Sequence, residues 1–197
     1  MDTYCNLCME VGDNGKNEVL VNAPMLEEFI RMMYPRYSVI SSTTKCLQRI
    51  SEIENELKKD YSLVVLDSAL NNTEELFRLK NREKIELIVN HYCMDNCPKR
   101  EEHYRVIGRS QLEFCEPDFE RCSNINRDFY EIMGNRSFIS TEALYGEYYE
   151  AGFYNFKLDG RGFRKHKVLE SFVYYLAKPE HRDRVRSLLL KIIMKET

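Results

Sequence analysis

Residues 85–100 read IELIVNHYCMDNCPKR, and the fold turns on how they are taken. Residues 85–89 are almost wholly Ile, Leu and Val, with too little alternation for a strand wetted on one side. That pattern suits a strand covered on both faces, as in a parallel sheet. It ends in polar Asn90 and His91, passes through a loop carrying Cys93 and Cys97, and enters a helix-like stretch at 100–111. Buried strand, polar strand end, loop and helix together make one β/α unit.

Outward from this unit the same rhythm recurs. Apolar runs at 19–21, 37–40, 63–66, 138–139 and 153–158 alternate with helix-like segments at 25–33, 45–59, 73–80, 141–150, 166–177 and 180–195. Pro24 suits the first turn of its helix, and Pro35 follows that helix's end. Thr73, Glu74 and Glu75 make an acidic first turn that complements the helix dipole. Strands alternating with helices imply right-handed β/α crossovers and a parallel sheet. The expected class is therefore α/β, a parallel barrel-like fold of six β/α units. A closed eight-unit barrel usually needs about 250 residues, so 197 residues suit a partial or open TIM-type barrel. A doubly wound open sheet is the competing topology. Residues 1–18 are expected to form an N-terminal segment and 19–197 the barrel-like domain.

Composition narrows the classes of function. A net charge of −3 gives no global drive toward nucleic acid. No apolar run reaches the roughly 18 residues that span a bilayer. The first fifteen residues lack the basic and apolar regions of a secretory signal. The expectation is a cytoplasmic protein with no membrane association, in which seven cysteines serve as free thiols or ligands rather than a disulfide framework.

Three features carry chemistry. Cys93, Cys97, Cys115 and Cys122 follow a C-x3-C-x17-C-x6-C spacing. Four soft thiolates suit a [4Fe-4S] cluster or, alternatively, zinc, and buried structural cysteines are the plain reading. Polar residues at the ends of the apolar runs, Asp67, Asn90, His91 and Asp159 among them, would share the active face of a parallel α/β fold. In NFKLDGR, residues 155–161, the period of two sets Lys157, Asp159 and Arg161 on one face. There Asp159 can pair with Lys157 or Arg161, and Arg161 can clamp a carboxylate or phosphate. Basic clusters at Lys99, Arg100, Arg105 and Arg109, and at Arg161, Arg164, Lys165 and Lys167, would bind an anionic small molecule or RNA. No phosphate-binding glycine loop, nucleophile elbow or zincin motif is present. Cys5 and Cys8 form a C-x2-C pair without the β/α context of a redox motif.

The strand ending in Lys157-Leu158-Asp159-Gly160-Arg161, followed by a helix with Tyr174 and Tyr175, resembles the peptidase U32 (collagenase-like) family. The strand that runs into the cysteine loop at 86–97 is similar to that family's pattern too. The resemblance covers about residues 85–177. It implies a β/α-barrel-like fold, a cysteine-ligated [4Fe-4S] cluster and a part in hydroxylating RNA or a small aromatic metabolite. Asp159 stands where the family has Glu, and Cys93 and Cys97 are closer together than in its members. A non-catalytic scaffold or binding subunit is the alternative function. Because an open barrel leaves strand edges exposed, a second copy or another chain is expected to complete the sheet.

Overall fold

The computed structural model describes residues 3–119, 127–160 and 163–193. Five strands, β1 (Glu18–Val21), β2 (Ser38–Ser41), β3 (Leu63–Val65), β4 (Ile85–Ile88) and β5 (Asn155–Lys157), form one sheet in the order β1-β2-β3-β4-β5. Every neighbouring pair is parallel. The order never reverses, so the sheet lacks the switch point of a doubly wound fold. Around it lie helices α1 (Thr3–Gly12), α2 (Pro24–Met33), α3 (Ile50–Leu57), α4 (Glu74–Arg78), α5 (Arg100–Glu113), α6 (Phe129–Ile132), α7 (Thr141–Ala143), α8 (Lys165–Leu176) and α9 (Arg182–Ile193), with short 3-10 and π-helical turns between them.

Five of the six expected strands form among the described residues. The exception is 138–139, which lies extended at the end of β4 on a single backbone bond, Ile139 N–H to the Val89 carbonyl at 3.0 Å. Side chains hold it there instead of a strand ladder. Asn71 donates to the carbonyls of Ile88 and Ser137, and Asn72 to those of Arg136 and Phe138. Asp95 accepts from the backbone amides of Arg136 and Ser137. The expected helix at 45–59 is also shorter. Cys46 adopts a left-handed conformation, φ 51°, and ends a tight turn, so the helix begins only at Ile50. Thr73 caps α4 by accepting from the Leu76 amide, as its acidic first turn suggests. Within 1–18, residues 3–12 form α1, which docks where Tyr34 donates to Asn6 and Tyr37 to the Met9 carbonyl.

Register divides the sheet into two unlike faces. Val39, Val64, Leu66, Ile85, Leu87 and Val89 belong to a core shared with Ile30 of α2, Ile53 and Leu57 of α3, and Leu76 of α4. Right-handed crossovers in a sheet whose order never reverses put their helices on one side, and this is that side. The opposite face carries the row Leu20, Ile40 and Leu63, then Val65, Glu86 and Asn155, then Ile88 and Lys157. Leu20 at the β1 edge is 45% exposed. The alternation continues past the strand ends through Asp67, Asn90 and Asp159, which places these polar residues at one end of one face.

Candidate functional site

At the ends of β3 and β4 this second face meets the cysteine loop and the first turn of α5. Asp67 follows β3 and caps the next turn by accepting from the Ala69 amide at 2.8 Å. Its carboxylate also takes Gln48 at 3.3 Å and the guanidinium of Arg100. Arg100, 6% exposed, donates a further bond to the Met94 carbonyl at 2.9 Å. The Cys93 thiol lies against the same guanidinium and against the Cys97 thiol. Burial pushes the Cys93 thiol up, and Arg100 opposes that rise. Cys46 joins the group: burial and the Asp67 charge push its thiol up to about 11. Tyr104, one turn along α5, is likewise raised by burial.

This ring of groups is incompletely satisfied. Arg100 Nε and Ser68 Oγ are buried and have no hydrogen-bond partner among the described residues. A buried polar atom without a partner costs about 1–3 kcal/mol, and this one lies at the C-terminal ends of parallel strands, where ligand sites of parallel α/β folds are found.

A second cluster adjoins it at the ends of β4 and β5. The Asn90 side chain grips the backbone of Asp159 from both sides, donating to its carbonyl at 3.0 Å and accepting from its amide at 2.6 Å. Asn90 also donates to Ser171 of α8 at 3.0 Å. So held, the Asp159 carboxylate faces His91 Nδ1 at 3.2 Å. With its proton on Nδ1, His91 donates to Asp159 and leaves Nε2 as an acceptor. Lys157 pairs with Glu86 across the β4–β5 ladder at 3.0 Å. The expected Asp159–Lys157 pairing is therefore replaced by two cross-strand pairs. Lys157 stands opposite Ile88, so it reaches Glu86 on the diagonal, a distance long side chains span.

The sequence-derived site residues thus divide. Asp67, Asn90, His91, Lys157 and Asp159 gather at the ends of β3–β5, while Arg161 lies outside the described residues. Cys93 and Cys97 touch, but Cys115 follows the far end of α5, its thiol 3.9 Å from Glu113. The 14 residues of α5 span about 20 Å at 1.5 Å per residue, whereas metal–thiolate bonds are about 2.3 Å. Cys122 lies outside the described residues, among which no group of three His, Cys, Asp or Glu side chains is placed to hold a metal ion. As arranged here, Cys93, Cys97 and Cys115 do not meet at one cluster or one zinc ion.

The sequence placed Arg100 only within a basic cluster suited to an anion and did not foresee its burial against Asp67, whereas Arg109 of the same cluster pairs on the surface with Glu113 at 2.7 Å. The signal for Arg100 was its place directly after C-x3-C-P-K, at the start of a helix following a buried strand. Gln48 and Cys46 carry no local signal. They arrive because the turn after β2 leans over β3, with Thr43 Oγ1 bonded to the Leu66 carbonyl at 3.0 Å.

No family model, curated protein or solved structure matches the chain.

Proposed function

We propose that this chain is a binding subunit of U32-like type, an open β/α half-barrel that takes a small anionic ligand at the ends of β3–β5. Arg100 anchors the ligand, the paired thiols Cys93 and Cys97 line its pocket, and Lys157 and His91 flank it. One observation carries the reading: a guanidinium 6% exposed, held by Asp67 and Met94, whose Nε has no partner among the described residues. An anion arriving there would satisfy Nε through a charge-assisted bond, the stronger kind of hydrogen bond. The open β1 edge, beside exposed Leu20, favours a second copy or another chain as the element that completes the barrel.

A second reading keeps the [4Fe-4S] cluster, or zinc, and with it a redox or hydroxylation role on RNA or an aromatic metabolite. The contact between Cys93 and Cys97 favours it, and it requires the end of α5 to unwind so that Cys115 can approach. Purification without oxygen, followed by iron, sulfide and zinc analysis, separates the two. The binding-subunit reading expects well under one metal per chain, with affinity for inorganic phosphate or citrate reduced several-fold in Lys157→Met. About four irons per chain, lost in both Cys97→Ala and Cys115→Ala, would overturn it in favour of the cluster.

A further inference from the structure

A cleft of about 460 Å³ opens between α7, the wide helical turn Leu144–Tyr148, the end of α8 and the start of α9. None of its lining residues belongs to the site at the ends of β3–β5. The volume falls within the range of small-molecule sites, and the walls are chiefly apolar, with Tyr145, Leu176 and Pro179 prominent. Tyr145 is fixed by donating to the Tyr175 carbonyl at 3.0 Å, so its ring is a standing wall.

The cleft's charge is positive in effect. Lys178 and Arg182 both line it, and neither makes an ion pair among the described residues. Arg182 lies over the Tyr174 ring at 4.3 Å and donates one bond, from Nη2 to Thr141 Oγ1 at 2.9 Å. Its Nε is buried without a hydrogen-bond partner among the described residues. The one carboxylate in the lining, Glu142, is held below the usual glutamate range by its own backbone amide, by the Ser140 and Thr141 hydroxyls and by the charge of Arg182, which leaves two cations against one carboxylate. Arg182 also begins α9, a helix of 12 residues, whose N-terminal dipole favours a negative charge at that end.

We propose that this cleft binds a small aromatic carboxylate. The carboxylate pairs with the Arg182 guanidinium and the Lys178 ammonium, and the ring lies against Tyr145, Leu176 and Pro179. A cation is repelled by Lys178 and Arg182. A neutral aromatic brings no counter-charge to the two cations, and a purely inorganic anion makes no use of the apolar wall.

Benzoate is the probe, with benzamide and inorganic phosphate as controls, followed by amide chemical shifts on the full chain. Saturable benzoate shifts confined to residues around Tyr145 and 178–182 are expected. Affinity should fall about 10-fold or more in Arg182→Gln, the usual scale for a lost charge-assisted bond, and several-fold in Lys178→Met. Lys178 is exposed, so that variant keeps the test valid should Arg182→Gln fail to fold. Benzamide binding as well as benzoate, phosphate binding better than benzoate, or unchanged benzoate affinity in Lys178→Met would each overturn the proposal.

Discussion

Two buried charges, one on each side of the sheet, differ in how fully they are met. Glu56 of α3 reaches the helix-covered face through Ser41, and its two oxygens accept from Ser41, Lys45 and Lys59, each at 2.6 Å. Burial alone would raise its carboxyl, but these bonds outweigh that and hold it at about 2. Arg100 reaches the other face through Asp67 and keeps one donor without a partner among the described residues. A charge with every valence filled fixes the packing of helix on sheet and has nothing left to offer a ligand. A charge left partly unmet, at the end of a parallel sheet, is where binding energy remains to be gained. The lesson is to count unmet donors rather than charges.

The largest test of this contrast is Arg100→Met. Removing one partner of a buried pair strands the other, and Asp67 is 2% exposed, so about 4 kcal/mol of stability should be lost in urea unfolding. Adding Asp67→Asn should recover part of that loss. A single-variant cost below about 1 kcal/mol would mean that Arg100 does not hold Asp67, and the comparison would collapse.

Glu56 gives a pH signature of somewhat smaller size. Its folded carboxyl lies near 2, against an ordinary value of 4.5. Its contribution is therefore complete above about pH 4.5 and is lost as pH falls towards 2. The loss is on the order of 3 kcal/mol, readable as a drop in unfolding midpoint. Glu56→Gln should flatten that stretch of the profile while lowering stability at neutral pH, because Lys45 then lacks its counter-charge. A profile of unchanged steepness in the variant would show that other carboxylates drive the acid transition.

The smallest effect is expected at Lys157→Met. The Lys157–Glu86 pair is part exposed, and such pairs contribute about 0–1 kcal/mol, so stability should barely move. A larger destabilisation would assign Lys157 to the fold and weaken its place beside the ligand.

Much of this architecture is legible in the chain itself. The Val- and Ile-rich runs without alternation announced a parallel sheet, and four of them coincide closely with β1 to β4. The run at 138–139 misled because its two apolar residues do bury: Phe138 and Ile139 are 8% and 0% exposed. What holds them is a set of Asn and Asp side chains from distant loops, and no local pattern encodes that. Polar strand ends likewise foretold where Asp67, Asn90, His91 and Asp159 would gather. Their partners escaped because cross-strand neighbours depend on register. The burial of Arg100 was not legible because an arginine in the first turn of a polar helix looks solvated until the loop before it folds back over it.

The unreversed strand order also sets a timetable. Strands β1 to β4 lie within residues 18–88 and each pairs with the one just made, so this part of the sheet closes through short loops at low entropic cost. β5 begins only at residue 155, and until it arrives β4 presents a free edge of Ile, Leu and Ile. During synthesis that edge stays open while 66 further residues emerge, and the segment at 138–139 is the first apolar stretch able to settle against its end. Sticking between nascent chains is therefore expected to be worst in molecules truncated between 89 and 137, and to fall once residues 155–157 are in place.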